Sequence, residues 1–171
     1  MKAASANLLS VIKGPKQFII PIYQRTYSWH QTQCEQLFQD ILRISDSAKS
    51  LGDSQGHFVG SVVYFQESIH TVSDVPRLLV IDGQQRLTTI TLLVMVLAEF
   101  ISDHPDLLET NATKLRNYYL FNAEEEGDLR YKLLLTRRDK QTLIELLGGI
   151  TPSEPASQRL LENHQFFKSK I

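Results

Sequence analysis

The sequence predicts a single α/β domain of the mixed α+β kind, with short strands set between longer helices. Three observations predict it. Short β-prone runs at residues 17–20, 57–65 and 78–81 are each bounded by Gly, Pro or an Asp-Gly pair. The run from Gln84 to about Ser102 is apolar nearly all round, as a central buried helix requires. The chain has 171 residues, 42% hydrophobic and 22% charged, which suffices for one core of ordinary size.

The elements follow in order. Residues 1–16 read as a short helical lead-in closed by Gly14-Pro15, and residues 17–20 as a strand ended by Pro21. A loop rich in aromatic and polar groups follows. Ser28, with Gln31 three residues on, has the pattern of a capping box. It predicts a helix from about Trp29 to Ala48, with Leu37, Ile41 and Ile44 at helical spacing. A strand is expected over 57–65 and a polar connection over 67–76. A buried strand over 78–81 then leads through Asp82-Gly83 into the central helix, and Pro105 marks its end or the start of the next. Further helices are expected over 111–121, 139–147 and 157–171, and a short strand over 131–135. Thr136 with Asp139 is a second capping pattern, and Gly148-Gly149 a stop.

Bulk properties exclude several classes. The net charge of −1 argues against a domain that holds DNA mainly by its phosphates, so any nucleic-acid contact is local or supplied by another domain. The lone Cys34 rules out an internal disulfide and any Cys/His zinc spacing, and a reducing cytoplasm fits. No signal peptide is visible. The apolar run at residues 90–98 is far shorter than the roughly 20 residues that span a bilayer, so no membrane association is expected. His30, His70, His104 and His164 show no ligand spacing and read as surface residues.

Three segments could carry chemistry. At Ile81-Asp82-Gly83-Gln84-Gln85-Arg86 a strand turns directly into a helix. The first amides of a helix lack partners and carry the positive end of its dipole, so phosphate is a natural ligand there. Gly83 permits a close approach, Arg86 can add a bidentate contact, and Gln84, Gln85, Thr88 and Thr89 can add hydrogen bonds. Asp82 would repel phosphate; it either caps the helix or faces a Mg²⁺ that accompanies a nucleotide. In the second segment, Tyr23, Tyr27 and Trp29 surround Gln24 and Arg25, a set able to stack a base and hold phosphate or, equally, to pack on the core. In the third, Gly60 beside Ser61 sits in a strand pattern, where glycine marks a close approach, and His57 is a weaker candidate.

Taken in this order, Pro21-Ile22-Tyr23-Gln24-Arg25-Thr26-Tyr27-Ser28-Trp29, His57-Phe58-Val59-Gly60-Ser61 and Ile81-Asp82-Gly83-Gln84-Gln85-Arg86-Leu87-Thr88-Thr89 resemble domain-of-unknown-function family 262, the N-terminal domain of GmrSD-type restriction proteins. Leu134-Leu135-Thr136-Arg137-Arg138-Asp139 and the stretch from Ser157 to Phe167 add to the likeness. The resemblance implies a ParB/sulfiredoxin-like fold, a small mixed sheet flanked by helices. It implies a nucleoside triphosphate site at Asp82 to Arg86, extended by Tyr23, Gln24, Arg25, Gly60, Ser61, Thr88 and Thr89. Asp82 is then the Mg²⁺ ligand, and Asp82 and Gln85 are the candidate catalytic groups of a slow NTPase. It implies a regulatory role in anti-phage restriction, with DNA reached through the full-length protein and cleavage by a C-terminal HNH nuclease domain or subunit. No His-Asn-His arrangement can be drawn, so the chain alone is expected not to cut DNA. A DNA-modification sensor without NTPase activity and a ParB-like nuclease are the alternatives. A homo-oligomer is left open. The nucleotide-binding domain is expected over 1–150, and 151–171 as the start of a helical continuation into a longer chain.

Overall fold

A computed structural model describes residues 6–51, 60–66, 75–106 and 110–171. The strands are β1 (Gln17–Ile19), β2 (Val63–Gln66), β3 (Arg77–Asp82) and β4 (Leu133–Leu134). The helices are α1 (Leu8–Ile12), α2 (Gln31–Leu51), α3 (Gln84–Asp103), α4 (Ala112–Tyr119), α5 (Arg137–Leu147) and α6 (Gln158–Lys170), with a short 3₁₀ turn at Gly127–Arg130. The sheet has the order β2-β3-β1-β4. β1 runs parallel to both β3 and β4, pairing Phe18 with Leu78 and Leu133, while β2 lies antiparallel at the β3 edge. This is the mixed α/β fold that the sequence predicts.

The alternation of β3 explains its placement. Leu78 and Val80 are buried on the face that also carries Phe18. α3 lies at the centre of the helical layer. Leu92, Met95, Val96 and Ala98 are almost wholly inaccessible, and α3 packs against both α4 and α6. It is long and apolar enough to cross a membrane by length and composition, yet 67% of its apolar window is buried within the domain. Its threonines cost little in this setting because Thr88, Thr89 and Thr91 return their hydroxyls to the carbonyls of Gln84, Gln85 and Leu87, one turn earlier. α6 closes the core. It buries Leu160, Leu161 and Phe167, and Phe167 meets Phe38 of α2 with ring centres 6.3 Å apart.

Several local expectations are corrected. The helix after the aromatic loop starts at Gln31, and its side-chain cap is a single bond, His30 N–H donating to Gln33 Oε1 at 2.9 Å, rather than Ser28 with Gln31. Thr136 makes no side-chain cap on α5; Asp139 instead accepts from the Tyr27 amide at 2.6 Å. His164 is buried at 4% exposure, not at the surface, because Glu99 accepts from its ring at 3.1 Å. Among the described residues, the strand expected over 57–65 begins only at Val63, so Gly60 lies outside it. His57 and His70 lie outside the described residues.

Candidate functional site

The β3–α3 turn is built around Gly83. Its φ of 95° is a left-handed conformation that suits glycine. A Cβ there would also stand 3.0 Å from the Ser61 carbonyl oxygen and 3.1 Å from Val62. Gly83 is the N-cap of α3 and supplies no side-chain cap, and no acid lies in the first turn. The leading amides of this 20-residue helix are therefore left to face a ligand or solvent. Asp82, one of whose two readings was a cap, does not cap: its carboxylate is 63% exposed and lies 3.7 Å from Arg86 Nη2.

Arg86 is held by the third segment. Gly60 has φ 106°, and a Cβ on it would fall inside the Arg86 guanidinium. The guanidinium thus lies directly across the Gly60 backbone, and this is the close approach that glycine marks in the sequence. Ser61 is exposed beside it.

The aromatic loop is clamped onto the same turn by the two glutamines. Gln85 accepts from the amides of Ser28 and Trp29 at 2.8 and 3.3 Å and donates to the Thr26 carbonyl at 3.2 Å. Gln84 donates to the Arg25 carbonyl at 2.9 Å, and Gln24 donates to the Ile81 carbonyl at 3.0 Å. From behind, Asn163 of α6 donates to the Trp29 carbonyl at 2.8 Å and to Tyr27 Oη at 2.9 Å. Tyr27 is buried, sharing a 2.7 Å hydrogen bond with Thr89. Burial drives its phenol well above the ordinary range, so Tyr27 stays neutral and supports the fold.

These bonds leave a cleft of about 390 Å³ between the loop, the turn and one face of α2. Gln24, Arg25, Asp82, Gly83, Gln84, Gln85 and Arg86 all line it, so two of the predicted segments share one cleft. Thr88 and Thr89 do not reach it: both are buried, with their hydroxyls committed inside the fold. Tyr23 is 73% exposed and outside the lining. The sequence reading missed Gln33, Gln36 and Asp40 of α2, which complete the wall beside Trp29 and Leu37. Their helical spacing was a legible signal, but a polar stripe on an amphipathic helix ordinarily faces water.

One atom in this wall lacks a partner. Gln84 is 8% exposed, and its Oε1 makes no hydrogen bond. Rotating the amide would set an oxygen against the Arg25 carbonyl, so the free acceptor is dictated by the donation at Nε2. The cleft therefore combines two guanidinium groups, open helix amides and a buried acceptor awaiting a donor, and this suits a ligand with both phosphate and hydroxyl or amino groups. A metal held by protein alone does not fit, since no group of three or more His, Cys, Asp or Glu side chains gathers among the described residues. Asp82 could contribute a single carboxylate to a Mg²⁺ whose other ligands are phosphate and water.

A family model for the N-terminal domain of the GmrSD restriction endonuclease matches residues 7–171. The chain belongs to this family. Membership associates the chain with restriction-endonuclease defence proteins. None of the curated proteins matches the chain.

Proposed function

We propose that this domain binds a nucleoside triphosphate in the cleft between the Arg25 loop and the start of α3, and that the bound nucleotide regulates DNA restriction. The observation that carries the reading is the uncapped N-terminus of α3, opening onto a cleft lined by Arg25 and Arg86. Helix amides and guanidinium groups are the common means of holding phosphate. Trp29, partly exposed in the same wall, offers a face for the base.

The roles divide by what each side chain has left to give. Arg86 and Arg25 meet phosphate oxygens, and Gly83 allows the chain to come close. Asp82, exposed beside Arg86, is the group free to hold a Mg²⁺ accompanying the phosphates. Gln85 uses both ends of its amide on the loop, so in this reading it positions the site, and any slow hydrolysis rests on Asp82. Gln84 Oε1 accepts from a hydroxyl or amino group of the nucleotide. DNA cleavage is assigned to an HNH nuclease domain or subunit acting with this one, in anti-phage defence in the cytoplasm.

Calorimetric titration with each nucleoside triphosphate, with and without Mg²⁺, tests the reading. Saturable binding at one site per chain is expected, weakened when the γ-phosphate is removed. Absence of heat and of any thermal shift with every triphosphate would overturn it.

A further inference from the structure

Four elements meet at the end of the molecule formed by α1, the turn after it, α4 and the 3₁₀ turn, and they bring cations together. Lys13, the C-cap of α1, places Nζ 4.7 Å from the centre of the Tyr118 ring. Lys114, in the first turn of α4, lies 5.9 Å from the same ring. Arg116 and Arg130 lie 5.2 and 5.0 Å from the centre of Phe121. Lys132 is buried beneath them and donates to the Gly14 carbonyl and to Asn122 Oδ1. Lys16 is near enough for its charge to add to the burial that pushes the Lys132 ammonium down to about 8.

Among the described residues these cations make no ion pair. Among the described residues, Lys13, Lys16, Lys114, Arg116, Arg130 and Lys132 have no carboxylate at ion-pairing distance, whereas Arg43, Arg86, Lys140, Arg159, Lys168 and Lys170 each have one. Lys16 and Arg116 satisfy themselves on the carbonyls of Val11 and Leu147. Lys114 also sits where the α4 dipole disfavours a cation. Glu124 to Glu126 follow Phe121 in the chain, yet make no ion pair with the cluster among the described residues; Asp128 is taken by Lys140 at 2.6 Å. Lys13, Lys114 and Arg130 are exposed, and Tyr118 shows 39% of its surface between the two lysines.

We propose that this end of the domain docks on the phosphate backbone of duplex DNA. A near-neutral chain that acts in restriction can hold DNA only through a local basic surface, and unpaired cations on separate elements flanking an exposed aromatic ring form one. The surface is separate from the nucleotide cleft, and the proposal does not depend on what that cleft binds.

The test is fluorescence anisotropy of the full chain with a short DNA duplex over a series of salt concentrations. Lys13→Gln with Lys114→Gln should lower the log–log salt slope by about 1.8 and weaken binding about 60-fold at roughly 0.1 M salt, if each lysine neutralises one phosphate. Arg130→Gln alone, on a different element, should lower the slope by about 0.9. The charge-matched pair Arg43→Gln with Lys170→Gln, both drawn from ion pairs with α2 carboxylates away from this end, should leave slope and affinity unchanged. The proposal is overturned if wild type does not bind duplex, if the Lys13/Lys114 and Arg130 variants keep the wild-type slope, or if the control pair loses as much. Binding to vesicles of anionic phospholipid that is tighter than binding to duplex, and lost in the same variants, would also overturn it.

Discussion

Gly60 shows how one residue can serve a site without touching a ligand. Its missing Cβ is the space through which Arg86 passes, and its φ of 106° is one that side chains rarely adopt. Gly60→Ala should cost about 1–3 kcal/mol of stability from backbone strain and, by displacing the guanidinium, should weaken nucleotide binding as well. Thermal melting and calorimetric titration of the same sample read the two effects, and a variant with unchanged affinity would show that Arg86 is not held for binding. The sequence revealed that something comes close to Gly60 but not what, because Arg86 is remote in the chain and meets it only after β2 and β3 pair. Thr88 and Thr89 show the converse, with side chains turned into the fold. Hydroxyls near a turn read as ligands in sequence, whereas bonding to the preceding turn lets them be buried.

Lys132 supports a second prediction at this scale. Burial, with the nearby charge of Lys16, lowers its pKa to about 8 from 10.5. Between these values the unfolded chain binds the extra proton, so this contribution to stability rises with pH from about 8 toward 10. Below pH 8 both states are protonated and the penalty of the buried charge is present in full. Melting temperatures of wild type and Lys132→Met, followed across that window, should diverge in favour of wild type as pH rises. Parallel curves would contradict the assignment.

At the scale of elements, the site is a loop fastened to a helix start. Gln85 does most of the fastening, through the Ser28 and Trp29 amides and the Thr26 carbonyl. Gln85→Ala leaves part-buried backbone groups without partners, at a cost of about 1–3 kcal/mol each where water does not replace the bond. It should free the loop and so reduce nucleotide affinity more than stability alone predicts. Amide hydrogen exchange at Ser28 and Trp29 measures this, and unchanged protection would refute the clamp. The strand–turn–helix was legible because hydrophobic runs and Asp-Gly are local signals. The capping boxes were misread because the decisive partners are distant: the Ser28 amide goes to Gln85, and Asp139 goes to Tyr27. A four-residue pattern carries no information about such competitors.

The whole molecule ties the cleft to its far side. Asn163 of α6 and Asp139 of α5 both hold the segment from Tyr27 to Trp29, so the helices of the C-terminal part form the back of the site. Phe167 is wholly buried, and α6 packs on α3 and α2. Phe167→Ala should therefore cost about 3–5 kcal/mol and lower a single melting transition for the entire chain. A separate early transition, with the cleft still binding nucleotide, would show instead that α6 is an independent unit. The mixed α/β class was readable from residues 17–20, 78–81 and the all-round apolar α3. The contribution of α2 to the cleft was not, since nothing local distinguishes a polar stripe facing a site from one facing water.

The central claim is that phosphate binds at the start of α3 through Arg86, and calorimetric titration of Arg86→Ala with triphosphate and Mg²⁺ tests it most directly. A charge-assisted contact of this kind contributes roughly 1.5–3 kcal/mol, so affinity should fall by about 10- to 150-fold. Arg86→Lys should restore only part of it, because an ammonium lacks the planar fork. The pair with Asp82 is long at 3.7 Å and largely exposed on the Asp82 side, so melting without ligand should stay close to wild type. If Arg86→Ala instead melts lower while each folded molecule binds triphosphate as tightly as wild type, Arg86 serves the fold and the run from Asp82 to Arg86 is a structural turn.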